Sequence, residues 1–440
     1  MKNLHAILLG TALCCLLPFT LFAKTSNERQ QTYKDLETFA NVLALLQQHY
    51  VDKVNTDEVI TGAINGMLTS LDPHSSYMQA DDFKELQVET KGRFSGIGIE
   101  ITIRDSILTV VSPIEGTPAF QQGIRAGDQI IRINGESTKD MSLMKAVKKL
   151  RGKKGTKVTL TIHHPDQQTL DDLILVRDII PLHSVKSMRL APGLLYLRIT
   201  NFQTATTHDV RSILNKAVQK EPLQGIVLDL RNNPGGLLDQ AVKVSDIFLD
   251  KGVIVSTRGR NPDQDMVFEA HMGNGSFNVP MVVLVNGGSA SASEIVAGAL
   301  KDHHRAIIVG TVTFGKGSVQ TIIPMPNGAG IRLTTARYYT PNGSSIQETG
   351  ITPDVVVPFQ EPAPEENKQK ISSWEIREKD LPGHLRNTGS AKKKQLKKKD
   401  QDSQERQKVE QRLARDNQLR TALIILKSLN IARESTKEGK

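Results

Sequence analysis

Between residues 33 and 50, apolar side chains fall at Leu36, Phe39, Leu43, Leu46 and Tyr50, in alternating steps of three and four. That spacing predicts an amphipathic helix. A second stripe, Ile60, Ile64, Met67 and Leu71, predicts another, stopped by Asp72-Pro73. An apolar stripe does not name its partner, so a helical cap and a dimer-forming arm both fit. From about Gly92 to Asp178 the period falls to two. Ile97, Ile99, Ile101 and Ile103 alternate with small or polar residues, and 107–111, 129–133, 157–163 and 173–176 read as further strands. Leu143, Val147 and Leu150 mark one short helix. Several short strands and a single helix within about 100 residues predict a compact, β-barrel-like domain.

Beyond Ile179 the pattern changes again. Apolar runs at 194–200, 225–230, 281–285 and 306–310 predict buried strands, and several of them enter turns rich in glycine. Leu238, Ala241, Val242, Ser245 and Leu249 form one helical face, and 294–300 forms another. Strand, Gly/Ser turn, helix, strand is the grammar of an α/β sheet, whose chemistry sits where strands give way to helices. A second β-rich run follows at 318–323, 330–339 and 355–357. From Glu361 to about Glu405 the chain turns polar and lysine-rich, with AKKKQLKKKD at its centre, and predicts a poorly ordered insert. Helical periodicity returns at Val409, Leu413, Leu419, Leu423 and Leu426, so the end of the chain is expected to dock.

Charge changes this picture little. Of the net +9, about +7 belongs to the stretch from Glu361 onward, which has 20 Lys+Arg against 13 Asp+Glu. The folded body is near neutral and poor in aromatic residues, which argues against nucleic acid as a partner. The first residues read as a secretory signal: Lys2, an apolar stretch from Ala6 to Phe22, and small Ala23 before Lys24. Leu21 is large for the −3 position, so an uncleaved anchor stays open. The expected location is the periplasm, with possible inner-membrane association through the basic segment. Cys14 and Cys15 both fall in the signal, so the mature chain would carry no thiol, disulfide or cysteine metal site.

The stretch NGGSASASE, 286–294, places serines at a strand-to-helix turn, where helix N–H groups can stabilise an oxyanion. A serine alcohol needs a base. His208, His271, His303 and His304 lie in segments without a recognisable motif. Lysine can serve if its amine is desolvated and uncharged. Lys316 lies between Gly315 and Gly317, downstream of Val312 and Phe314, and Gln320 would share its face on a strand. Two other chemistries fit less well. The run Gly310-x-x-x-x-Gly315-Lys316 follows a strand as a P-loop does, but Gly317 stands where a Ser/Thr is needed and the continuation reads as strand. A hydrolytic metal site at Asp302, His303 and His304 has no zinc motif. Neither metal nor cofactor is expected.

Two resemblances carry the reading further. GTPAFQQGIRAGDQIIRINGE, with Ser95-Gly96-Ile97-Gly98-Ile99 before it, resembles the signature of a PDZ domain. This implies a nest of N–H groups at Gly96, Ile97, Gly98 and Ile99 for a peptide's terminal carboxylate. NGGSASASE, then GKGSVQ, with RNNPGG upstream, resembles the carboxy-terminal processing (tail-specific) proteases of family S41. That likeness implies Ser291 as nucleophile, 316 − 291 = 25 residues before the general base Lys316, with Gln320 in support. It implies an oxyanion hole from Ala292 and from Gly235 or Gly236, and a crotonase-like α/β core carrying an inserted PDZ domain between helical arms. The domains expected are signal 1–23, helical arm 24–91, PDZ 92–178, protease core 179–360, insert 361–405 and C-terminal helix 406–440. Substrates would be exported proteins with exposed C-termini. A homo-oligomer through the end helices and an activating adaptor are further implications. The rival from another class is a catalytically silent PDZ scaffold that binds chain termini.

Overall fold

The computed structural model describes residues 29–165, 169–273, 277–360 and 400–438. The expected signal, 1–23, and residues 361–399 of the expected insert lie outside the described residues. The chain divides into two compact units, one holding residues up to Tyr77 together with Ile331–Leu333, the other the remainder.

In the first unit, residues 29–49 form one helix and Thr56–Thr69 another. Asn55 caps the second: its Oδ1 accepts from the Asp57 N–H and its Nδ2 donates to Glu58, with both acids suited to the helix's positive end. The predicted stripe is present but uncovered. Leu36, Phe39, Leu46, Tyr50, Met67 and Leu71 are all exposed, and Thr56–Thr69 buries no residue.

The second unit contains the period-two domain. Its strands run Ile99–Arg104, Ile107–Pro113, Gln129–Ile133, Lys157–His163 and Leu170–Val176 in that spatial order, with Glu136–Ser137 added to the third. The expected barrel-like closure does not occur. The sheet stays open, and Arg93–Gly96 with Asp178–Pro181 makes a separate two-stranded ribbon. One face of this sheet buries Leu108, Ile130, Val158, Leu160 and Ile162, while Ile174 and Val176 face outward. Ile99–Arg104 is consequently an edge strand, with backbone groups available on one side. The helix Leu143–Leu150 lies close to this edge, started by Ser142, whose Oγ accepts from the Lys145 N–H.

The core that follows is a six-stranded sheet in the order Val185–Ala191, Leu194–Ile199, Gly225–Asp229, Met281–Val285, Ile307–Gly310, Val355–Val356. The first pair is antiparallel and the rest parallel. Both central strands are buried throughout, which is why they read as unbroken apolar runs. Successive residues serve opposite faces. Met281, Val283 and Val285 pack with the helices Thr206–Lys220, Leu238–Asp246 and Ala292–Asp302. Val282 and Leu284 pack with Leu419, Leu423 and Leu426 of the C-terminal helix Asn417–Glu438, each buried leucine contributing roughly 2 kcal/mol. The docking expected for the chain's end is therefore on the second face of this sheet. A preceding helix, Asp400–Arg415, begins within the expected insert.

Candidate active site

Because the central strands are parallel, they deliver three loops to the same edge of the sheet. Gly225–Asp229 leads into the turn at 231–236, Met281–Val285 into 286–291, and Ile307–Gly310 into 311–317. Ser291 closes the second loop as N-cap of Ala292–Asp302, with φ 54° and ψ −113°. A left-handed φ on a non-glycine residue costs on the order of 1–3 kcal/mol and persists only where the surroundings enforce it. Here they do. The Ser291 N–H donates to Glu294 (2.8 Å), and the amides of Glu294 and Ile295 donate to the Ser291 carbonyl.

Glu294 is fully buried and joins two of the loops. Besides the Ser291 amide, its carboxylate accepts from Thr313 Oγ1 (2.6 Å), the Gly315 N–H (2.7 Å) and the Lys316 N–H (2.9 Å). One side chain thus holds the backbones of Ser291 and Lys316 together. Sequence reading passed over it, though Ser291-x-x-Glu294 has the form of a capping box. The other two serines are committed to structure. Ser289 Oγ donates to the Leu230 carbonyl, and Ser293 Oγ to that of Asn233. Both bonds tie the serine loop to the first turn.

That turn packs tightly on Ser291. A Cβ placed on Gly235 would sit 2.9 Å from Ser291 Cβ and 3.0 Å from the Ala292 nitrogen, so only glycine fits. The Gly235 N–H donates to Asn233 Oδ1 (2.9 Å), so of the two glycines expected to join Ala292 in an oxyanion hole, Gly235 has its amide already engaged. Asn232 and Asn286 lock the two loops by reciprocal bonds: the Asn232 N–H to Asn286 Oδ1, and Asn286 Nδ2 to Asn232 Oδ1. Gly317 lies against the Gln347 backbone, where a Cβ would come within 2.3 Å of its nitrogen, so the third loop is also clamped.

Lys316 is half-buried, but it lies in the loop before the strand Ser318–Pro324. The strand-face argument linking it to Gln320 therefore does not apply. The Gln320 amide donates to Ser318 Oγ (3.1 Å) and Thr334 Oγ1. The strand that follows Lys316 also removes the P-loop alternative, which requires a helix there. His303 and His304 stand at the far end of the 11-residue helix from Ser291, about 16 Å along its axis. His303 Nε2 is bonded to the Val253 carbonyl. Among the described residues no cluster of three metal-binding side chains occurs, and no helix is long and apolar enough to cross a membrane.

Beneath the first turn lies a charged network with no sequence signature. The guanidinium of Arg231 lies between two carboxylates. Nε and Nη2 donate to Asp229, while Nη1 and Nη2 donate to Asp416, with Nη1 also reaching Gln418. Burial disfavours its charge, but hydrogen bonds from Asp229 and Asp416 outweigh that and raise its pKa. Burial likewise pushes the Asp416 carboxyl up, yet the Arg231 bonds hold it below the ordinary carboxylate value. Tyr196 donates to Asp229 (2.8 Å), and its hydroxyl is pushed well above its usual pKa by burial and by that carboxylate.

In the period-two domain, Gly96, Ile97, Gly98 and Ile99 together line a cavity of about 170 Å³ against Val147 and Leu150. Arg151 stands at its margin, its guanidinium 4.9 Å from the Phe94 ring and paired with Glu85. Arg151 was not foreseen; only its place one residue beyond the groove helix marks it.

Comparison with known proteins agrees with this architecture. Residues 193–357 match the model of peptidase family S41, residues 85–163 that of the PDZ domain, and residues 20–82 that of the activating protease CtpB N-terminal domain. A carboxy-terminal-processing protease of Bartonella bacilliformis is 49% identical over 365 residues, covering 82% of this chain and 83% of that protein. Carboxy-terminal processing protease CtpA of Bacillus subtilis is 38% identical, covering 70% of this chain and 66% of its own length. The solved photosystem II D1 C-terminal processing protease shares 31% identity, over 73% of this chain and 92% of that one, with a TM-score of 0.42. The chain is a serine-type peptidase with a PDZ domain, and it belongs to the carboxy-terminal processing proteases of family S41.

Proposed function

We propose that this protease cuts exported proteins near their C-termini, with Ser291 as nucleophile and Lys316 as general base, after its PDZ groove has captured the substrate's terminal carboxylate. The observation that carries this reading is the buried Glu294 carboxylate, which bonds the backbone of both residues at once. In the mechanism, the uncharged Lys316 amine takes the Ser291 hydroxyl proton as Oγ attacks the peptide carbonyl carbon. Negative charge gathers on the carbonyl oxygen, where the amides of Ala292 and Gly236 receive it at the positive end of Ala292–Asp302. The lysine then gives its proton to the departing amine. Water, deprotonated by the same lysine, resolves the acyl-enzyme and restores the hydroxyl. Gln320 acts in support of Lys316. Because the first step needs a neutral amine, kcat/KM rises with pH as that amine loses its proton.

The groove supports capture. Its glycine turn offers backbone amides, its edge strand Ile99–Arg104 can pair with an extended peptide, and Ile99, Ile101 and Val147 suit an apolar terminal side chain. The signal pattern at 1–23 supports a periplasmic location, and the lysines of 391–400 support peripheral contact with an anionic inner-membrane surface. The uncovered stripes of the N-terminal helices, with Ile424 and Ile431 at the other end of the chain, support assembly of copies through the end helices. The same N-terminal arm is the place to look for an activating adaptor.

The test is cleavage of an unfolded protein with an apolar C-terminus. Wild type is expected to shorten it, while Ser291→Ala and Lys316→Ala bind the terminal peptide without cutting. A wild-type chain that binds such peptides and never cleaves them is a scaffold, and the proposal fails.

A further inference from the structure

Asp416 joins the helices Asp400–Arg415 and Asn417–Glu438, and its carboxylate faces the core rather than solvent. Oδ1 accepts from Arg231 Nη1 (2.9 Å) and Oδ2 from Arg231 Nη2 (2.7 Å), a two-pronged pair with a residue 185 positions earlier. Gln418 adds a second acceptor for Nη1 at 2.8 Å, and its own amide donates to the Val357 carbonyl. Arg231 opens the turn that carries Gly235 and Gly236, and both residues flanking it contact the nucleophile loop. The Leu230 carbonyl holds Ser289 Oγ, and the Asn232 amide holds Asn286.

We propose that Asp416 is a positioning residue for catalysis. Acting through Arg231, it fixes the turn at 231–236 so that the oxyanion amides face the carbonyl attacked by Ser291. Asp416 on this view serves catalysis at a distance, without itself touching Ser291. The inference rests on the Ser291–Lys316 reading above. Its physical basis is the charge balance. Asp229 is fully buried, and Arg231 nearly so. A guanidinium held between two carboxylates has one set of directions that satisfies all its donors. With one carboxylate neutralised, it must turn toward the other, because a buried unpaired charge is costly. The turn moves with it, and a misplacement of about 1 Å at a reacting centre can cost about 100-fold in rate.

Asp416 also caps its helix, accepting from the Leu419 N–H at 2.9 Å, so loss of helix docking is a second route by which its mutation lowers activity. Asp416→Asn separates the two roles, since asparagine caps a helix as well as aspartate but carries no charge. Leu423→Ala is the control, loosening the same helix from the sheet without touching Arg231. The measurements use the full chain with an internally quenched peptide ending in an apolar residue. They are kcat, KM, the melting temperature, and the affinity for a peptidyl boronate whose tetrahedral adduct needs the oxyanion amides.

Asp416→Asn is expected to lower kcat about 10- to 100-fold and boronate affinity by a similar factor, with KM within about threefold. Leu423→Ala is expected to lower the melting temperature while holding kcat within about twofold well below the transition. Gln418→Met, which removes the weaker acceptor, should give a smaller loss of the same pattern and serves if Asp416→Asn does not fold. The inference is overturned if Asp416→Asn, or Gln418→Met in its place, keeps wild-type kcat and boronate affinity, or if Leu423→Ala lowers kcat as much. Cleavage that persists in Ser291→Ala would instead sink the underlying reading, and this inference with it.

Discussion

Around the PDZ groove the charged contacts lie at the surface: Arg151 pairs with Glu85, and Lys148 with Asp81 at 2.6 Å, all joining the groove to the helix Ala80–Lys91. Around the loops that carry Ser291 and Lys316 they are buried: Glu294 with four donors, and Arg231 between Asp229 and Asp416. Exposed pairs exchange readily with water and salt, whereas buried networks lose heavily if one member is removed. The groove is therefore built to let contacts change. The loops of Ser291 and Lys316 are built to stay as they are.

Several substitutions press on this contrast. The largest effect is expected for Ser291→Ala, which should lower peptide cleavage by about 10⁴-fold or more while leaving the melting temperature unchanged. Next comes Glu294→Gln, nearly isosteric but pointing an NH2 at backbone donors. It should cost about 3 kcal/mol in denaturant titration and at least 100-fold in kcat. If Glu294→Gln unfolds no more easily than wild type, the buried network is not the rigid element it is taken to be. Val147→Asp, which places a charge in the groove, should weaken binding of a C-terminal peptide at least tenfold by calorimetry. Hydrolysis of a short ester lacking a free carboxylate should not change. Glu85→Gln should shift the melting temperature by less than about 2 °C and blunt its response to salt, as expected of an exposed pair.

The smallest effect concerns pH. Asp416 has a lowered folded-state pKa, so its contribution is complete above the unfolded carboxylate value and fades only as pH falls through the lower folded value. The C-terminal helix should stay docked through mildly acidic conditions and loosen below about pH 4. Hydrogen–deuterium exchange in Asn417–Glu438 across a pH series, corrected for the intrinsic pH dependence of exchange, would detect this. Loosening near neutrality would contradict it.

Much of the core is legible in the sequence because its strands are buried on both faces. Met281–Val285 carries the bounds the pattern predicts, and Gly225–Asp229 differs by one residue; Gly330–Tyr339, in another sheet and mostly half-buried, also has its predicted bounds. The helix Thr206–Lys220 escapes notice because it buries only Thr206, Val210 and Leu214, and lysine and glutamine dilute that stripe. The two-stranded ribbon Arg93–Gly96 and Asp178–Pro181 is missed because its members lie over 80 residues apart and each has only four residues. At the site, it is the resemblance of NGGSASASE and GKGSVQ to family S41 that points to Ser291 and Lys316. Glu294 carries a local signature that helix capping makes readable. Asp416 carries none: its role depends on a contact spanning most of the core, and no periodicity records it.

One consequence of covering the second sheet face with Asn417–Glu438 concerns biosynthesis. The chain is made from its N-terminus, and Val227, Val282, Leu284 and Val309 exist long before Leu419, Leu423 and Leu426. Until those leucines dock, a greasy slab stands open to water, and this face of the sheet stays unburied. Docking of Asn417–Glu438 is therefore expected to be the step that completes the burial of this sheet, wherever the chain folds.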